Sequence, residues 1–227
     1  MRKNLYFNIK AALLGLFVLC QFLLTVQTHA KTSDNKSTLE EVSKKYRDAK
    51  LVEMPVTKTI KSEVLGKESI FDGKIFLSAG KFRWDVDKPE KSSIIFDGKF
   101  LWNIQFPKTD KETIQISQAK VDKRNKSQML VGVLFGSGSI NNQVKVISEK
   151  ANGEFIDIDA VPLGTDVNVK NLKIKIDANK KIIVEISYLD DLENQTILKF
   201  NDSIFKKETM KSLFNYTPPK GAKVTKI

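Results

Sequence analysis

Residues 93–106 read SIIFDGKFLWNIQF, two apolar runs on either side of an Asp-Gly pair. Alternating apolar residues flanking Asp-Gly predict a β-hairpin, because a two-residue type I′ turn needs positive φ at both central positions. With Asp97-Gly98 as the turn, Phe96 faces Lys99, Ile95 faces Phe100 and Ser93 faces Trp102. One face then carries Ile95, Phe100, Trp102, Ile104 and Phe106. The other carries Ile94, Phe96 and Leu101, followed by Asn103 and Gln105. A hairpin this apolar must be covered, and what covers it bears on what the protein does.

The same pattern extends outward. Upstream, SIFDGKIFL at 69–77 contains FDGK a second time, which predicts a second Asp-Gly turn. Phe82, Trp84 and Val86 form a matching apolar stripe, with Arg83 and Asp85 opposite. Farther back, Val56, Ile60 and Val64 alternate with Thr57, Thr59, Lys61 and Glu63, so period two holds from about 52 to 117. Strands resume downstream at about 144–149, 154–161, 169–177, 181–189 and 195–201. The total expected is ten or eleven antiparallel strands. Two segments break the pattern. Ser37-Thr38-Leu39-Glu40 is a capping-box sequence, and Leu39, Val42, Tyr46 and Ala49 make one helical stripe over 37–50. Pro55 marks the change to extended chain. In MLVGVLFG at 129–136, Met129, Leu130, Val133 and Leu134 fit helical spacing, and Gly136-Ser137-Gly138-Ser139 follows. Two readings stand side by side: an ordinary buried helix, or a mobile lid over something apolar.

Arg2, Lys3 and Lys10 precede an almost wholly apolar Ala11–Val26, and Thr28-His29-Ala30 resembles a small-residue cleavage site. This predicts a signal peptide over 1–30, cleaved near Ala30, followed by a single domain over 31–227 in the periplasm. A retained anchor is the alternative, although about sixteen apolar residues fall short of the ~20 needed to span. Cys20 follows Phe17-Val18-Leu19, without the small residue that acylated cysteines require before them. Cys20 and His29 are the sole thiol and imidazole, and both precede the cut. The mature chain is therefore expected to have no disulfide, no cysteine or histidine metal site and no Ser-His or Cys-His nucleophile. No catalytic residue, metal or cofactor is assigned, and the protein is expected not to be an enzyme. Asp190-Asp191 and the Asp157/Asp159 pair read as solvated loop and strand positions. Removing three basic residues leaves 35 against 27 acidic ones, a net charge of +8. The lysines are scattered without an Arg-rich run, and an exported chain makes nucleic acid a poor partner.

Such a sheet must cover its apolar face or curl around it. Periodicity permits either a two-sheet sandwich or a strongly curved sheet around a cavity. Taken together, GKFRWDVDKP (80–89), SIIFDGKFLW, the apolar 129–136 segment and the terminal FNYTPPKG resemble the outer-membrane lipoprotein carrier family, LolA. DDLENQT (190–196) is similar to that family's Asp-x-x-Gly-Gln-x-Thr stretch, with Asn194 where Gly is usual. The resemblance covers essentially all of 31–227. It implies an incomplete, strongly curved antiparallel barrel closed by an α-helical lid around a hydrophobic cavity. It also implies a monomeric carrier that takes triacylated lipoproteins from an inner-membrane ATP-driven release complex to an outer-membrane acceptor lipoprotein. The expected cavity wall is Phe82, Trp84, Ile95, Phe100, Trp102 and Ile104. The expected lid residues are Leu39, Val42, Met129, Leu130, Val133 and Leu134. Some members latch the lid with an Arg before the Phe-x-Trp strand. Here Leu77-Ser78-Ala79-Gly80 stands at that place, so closure must use other contacts. Two rivals stay open: a same-fold protein that binds or senses other lipids, and an assembly protein whose tryptophans form an outer docking patch.

Overall fold

The computed structural model describes residues 37–122, 126–136, 138–163 and 169–227; the expected signal peptide lies outside these. Helix α1 (Thr38–Asp48) begins at Ser37, whose hydroxyl accepts the Glu40 N–H, as the capping pattern predicts. The chain then runs as β1 (Leu51–Ser62), β2 (Lys67–Ser78), β3 (Lys81–Lys88), β4 (Ser92–Phe96), β5 (Phe100–Gln105) and β6 (Gln115–Lys120). A 3₁₀ turn (Ser127–Met129) leads into α2 (Leu130–Phe135). The second half comprises β7 (Val144–Asn152), β8 (Phe155–Pro162), β9 (Lys170–Asp177), β10 (Ile182–Leu189) and β11 (Gln195–Phe200), then β12 (Ile204–Lys206) and β13 (Val224–Lys226). Among the described residues, thirteen strands thus stand where ten or eleven were expected, the two short C-terminal ones being β12 and β13.

All strands join one open sheet in the order β13-β6-β5-β4-β3-β2-β1-β11-β10-β9-β8-β7, with β12 beside β1. Pairing is antiparallel except at β13, which runs parallel along edge strand β6. That short strand covers part of an edge that would otherwise present free N–H and C=O groups. The sheet is therefore an incomplete barrel, and α1 and α2 lie on its concave face. The main core is formed there, from Val52, Met54 and Val56 on β1 through Ile75, Leu77, Phe82 and Trp84 to Leu172, Ile174 and Ile176 on β9.

Three local expectations are corrected. Pro55 lies inside β1, paired with Lys74, and the extended chain already begins at Leu51. The first FDGK is not a turn: Asp72 and Gly73 lie within β2, at a register shift against β3. A Cβ on Gly73 would fall 1.9 Å from the Asp85 carbonyl oxygen, so glycine is there for close strand approach. The second FDGK does turn, but one residue later. Asp97 and Phe100 close a Gly98-Lys99 turn with Gly98 at φ 100°, and Phe96 faces Leu101. The Asp97 carboxylate draws the turn to this position by accepting the N–H groups of Lys99 and Phe100, both at 2.8 Å. The shift of two in register preserves which residues share a face.

Candidate functional site

Concave-face geometry begins with α2. Leu130, Val131, Leu134 and Phe135 are buried, along with Met129 just before them. Gly132 lies directly on Phe82: a Cβ at this position would meet the Phe82 Cβ and Cδ2 at 2.9 Å. Only glycine lets the helix backbone come so near the sheet. Helix α1 is held on the other half. Leu39 and Val42 are fully buried, and the Tyr46 hydroxyl accepts the Ile183 N–H at 3.0 Å while pairing with Ser203 Oγ at 2.7 Å. Burial pushes the Tyr46 phenol up to about 12.

Polar contacts tie α1 to the segment after α2. Arg47 Nη1 donates to the Gly138 carbonyl at 2.6 Å and to Ser43 Oγ at 3.2 Å. Its Nη2 donates to Glu40 Oε1 at 3.2 Å, and Ser139 Oγ donates to Glu40 Oε2 at 2.9 Å. The Gly80 N–H donates to the Gly136 carbonyl at 3.0 Å. These bonds join the helices and the sheet without an arginine at 77–80.

The sequence-predicted site divides between two faces. Phe82 and Trp84 lie on the concave face with Leu39, Val42, Met129, Leu130 and Leu134, and Val133 packs at the margin of the same cluster. Ile95, Phe100, Trp102 and Ile104 do not join them. Phe82 pairs with Phe96 and Trp84 with Ile94, and directly opposed residues share a face. Ile94, Phe96 and Leu101 therefore continue the concave wall, while Ile95, Trp102, Ile104 and Ile116 form a separate convex cluster flanked by Phe100. The chain's own C-terminal segment covers that cluster. Tyr216 stands edge-on to Trp102 at 5.4 Å, with Ala222 and Val224 beside it, and Trp102 Nε1 donates to Asp97 Oδ2 at 3.0 Å. Arg83 fastens the cover by bonding Asp85 at 2.8 Å and the Leu213 carbonyl at 2.9 Å. The apolar hairpin is thus covered by helices on one side and by the C-terminal segment on the other.

Sequence reasoning missed several concave-face residues: Ile75, Phe71, Leu198, Tyr188 and, most unusually, Lys58. The signal was present, since Lys58 is in phase with Val56 and Ile60, the apolar positions of β1. Lys58 keeps some exposure as a residue, yet protein crowds its ammonium closely enough for burial to push it down to about 8. The ammonium lies 4.9 Å from the centre of the Trp84 ring. Between Trp84 and α2 the remaining void is only about 10 Å³, and a second recess beside Gly132 and Phe96 holds about 230 Å³. The helices therefore fill the apolar interior. The larger trough, about 660 Å³, lies at the ends of β4–β6 and takes in Ile94 from the concave wall. Its wall mixes isoleucines with Ser92, Asn103, Gln105, Gln115 and Ser117, a surface suited to hydrogen bonding rather than to acyl chains. Among the described residues, no group of three His, Cys, Asp or Glu side chains could hold a metal.

The geometry is that of an open β half-barrel whose apolar concave face is occupied by its own helices. Residues 61–217 match the family described as outer membrane lipoprotein carrier protein LolA, and the chain belongs to that family. An outer-membrane lipoprotein carrier protein of Coxiella burnetii is 26% identical over 155 residues, which cover 67% of this chain and 69% of the relative. One from Pseudomonas putida is 29% identical over 150 residues, covering 65% and 67%. Among solved structures, a LolA superfamily protein of Nitrosomonas europaea aligns over 79% of this chain and 96% of its own, with 9% identity and a TM-score of 0.45.

Proposed function

We propose that this protein is a periplasmic carrier that shields the acyl chains of lipoproteins between the inner and outer membranes. Family membership supports the class. The observation that carries the reading is the α2 contact: a six-residue helix, with glycine against Phe82 and Gly136 and Gly138 behind it, fills an apolar concavity that the sheet alone would leave open. Each buried methylene is worth ~0.8 kcal/mol, so a chain of about fifteen represents on the order of 12 kcal/mol. Acylated cargo cannot cross water with such chains exposed. A carrier that must also let go needs a removable substitute for them, and α2 offers Leu130, Val131, Leu134 and Phe135 in that role. Displacing α2 while α1 stays fastened through Tyr46 would free the wall formed by Ile75, Phe82, Trp84, Ile94 and Leu101. The proposed cavity wall thus keeps Phe82 and Trp84 and replaces Ile95, Phe100, Trp102 and Ile104. The release complex and the acceptor lipoprotein belong to the same proposal, as do export and cleavage near Ala30.

The test is to incubate the purified protein with spheroplasts whose lipoproteins carry a radiolabelled acyl chain. A soluble one-to-one complex containing labelled lipoprotein is expected. Label that stays entirely in the membrane fraction would refute the carrier reading.

A further inference from the structure

Lys58 sits on an apolar face of the sheet. Strand β1 turns Val56, Lys58 and Ile60 to the concave face, where Lys58 lies between Phe71 on β2 and Leu198 on β11. Among the described residues no carboxylate pairs with it, and burial alone accounts for its lowered pKa. An ammonium carries three N–H donors, and charges set into apolar surroundings are normally paired. The indole beneath it repeats the imbalance. Trp84 is 6% exposed, and among the described residues its Nε1 donor has no acceptor. One cation and one orphaned N–H thus adjoin each other, and neither has an acceptor among the described residues.

The position is also accessible. A recess of about 300 Å³ opens to the outside, bounded by Lys58, Ile60, Ser127, Gln128 and Tyr188. Lys58, Ser127, Gln128 and Tyr188 also border the small void beneath, whose far wall is Trp84, Leu130 and Val131. Lys58 therefore stands where an outer vestibule meets the apolar interior, at the start of α2. The two acidic residues on the rim are engaged elsewhere. Asp190 accepts from the Leu192 and Asn194 N–H groups and from Asn194 Nδ2, and Asp191 faces Lys170 at 4.0 Å.

We propose that Lys58 and the Trp84 indole N–H form the polar end of the acyl-chain site, a subsite for the anionic oxygen group of an amphiphile. The group is a fatty-acid carboxylate or a phospholipid phosphate, with its tail running beneath α2. This rests on the reading that the concave face takes acyl chains, and it adds an anionic lipid to the cargo. A neutral ester oxygen would satisfy the indole but leave the ammonium without its counter-charge. An anionic oxygen serves both donors, through charge-assisted bonds roughly twice as strong as neutral ones.

The test compares two matched pairs of ligands on the purified, delipidated protein at pH 7. One pair is cis-parinaric acid and its methyl ester, read by polyene fluorescence. The other is lysophosphatidylglycerol and monoacylglycerol of equal chain length, read by displacement of the methyl ester. The wild type should prefer the anionic member of a pair by about tenfold, as expected for a hydrogen bond to a charged group. Lys58→Met should abolish the preference, bringing the anionic member of each pair to the affinity of its neutral partner measured on the same variant. Trp84→Phe, which keeps a ring but removes the N–H, should reduce the preference in part. Preference confined to the fatty-acid pair identifies a carboxylate, and preference confined to the glyceride pair identifies a phosphate. Equal affinity within both pairs, unmoved by Lys58→Met, overturns the subsite but keeps the acyl-chain reading. Binding of none of the four overturns the acyl-chain reading itself, and the subsite with it.

Discussion

Gly132→Val offers a sharp test of whether α2 is a removable plug or ordinary core. The new Cβ would start 2.9 Å from Phe82 Cβ and Cδ2, and Phe82 is 1% exposed, held in the sheet between its β2 and β4 neighbours. Ordinary carbon contacts lie near 3.5–4.0 Å, so the helix must back away by about 0.6–1.1 Å. Overpacking of this kind costs about 1–3 kcal/mol, and the gain in helix propensity over glycine returns only about 0.4 kcal/mol. If α2 opens independently of the sheet, its opening constant should rise by about 3- to 70-fold, at 1.4 kcal/mol per decade. Hydrogen exchange read by mass spectrometry would show this as faster exchange in peptides spanning 130–136. Peptides covering β9 and β10 should exchange as in the wild type, because local openings need not involve the stable core. The empty variant should also bind an environment-sensitive apolar dye more strongly. Uniformly faster exchange across α2, β9 and β10, with no added dye binding, would refute the reasoning: α2 would then unfold only with the whole domain.

Other consequences follow from the same contacts. Leu130→Asp or Leu134→Asp should abolish retention of acylated cargo in the spheroplast assay while circular dichroism still reports the sheet; retained cargo would make α2 simple core. Trp102→Phe, on the convex face, should cost about 1 kcal/mol through the lost bond to Asp97 and leave methyl ester affinity unchanged; a weakened affinity would contradict the assignment of faces. Arg47→Ala should speed exchange in the segment after α2 by severing its bond to the Gly138 carbonyl, and unchanged exchange there would exclude Arg47 as a fastening. Lys58 predicts a pH effect. Its folded pKa lies near 8 against 10.5 unfolded, so between these values the unfolded chain binds more protons and stability rises with pH. Lys58→Met should lack this rise and gain on the order of 1–3 kcal/mol at pH 7, the partial exposure of Lys58 reducing the full effect. Urea melts at pH 7, 9 and 10.5 would show the excess stability of the variant shrinking; a constant difference would mean that the ammonium is solvated.

Much of the fold was legible because it is local. Period-two alternation located β1, β3, β4, β5 and the later strands, and the capping box placed the start of α1 at its observed residue. Local rules misread FDGK at 71–74, since Asp-Gly favours a turn only where nothing opposes it. There, continuous pairing of β2 with β1 and β3 outweighs the turn preference. The candidate concave face was legible in part. Helix periodicity placed Leu39, Val42, Met129, Leu130 and Leu134 on one buried face, but the apolar stripe of β5 lies on the opposite side of the sheet from them. Both faces of β4–β5 are apolar, so composition could not say which one meets the helices.

The sequence by itself determined the strand and helix pattern, the parity within each strand and the family. It also carried the one discordant residue, a lysine at an apolar position of β1. Tertiary structure decided what lies against each face: α2 over Phe82 and Trp84, and the C-terminal segment over Ile95, Trp102 and Ile104. The physical reason is that parity only states which side chains point together. Which side is concave depends on pairing with β3 and on coverings from about thirty and more than a hundred residues away, contacts that no local pattern records.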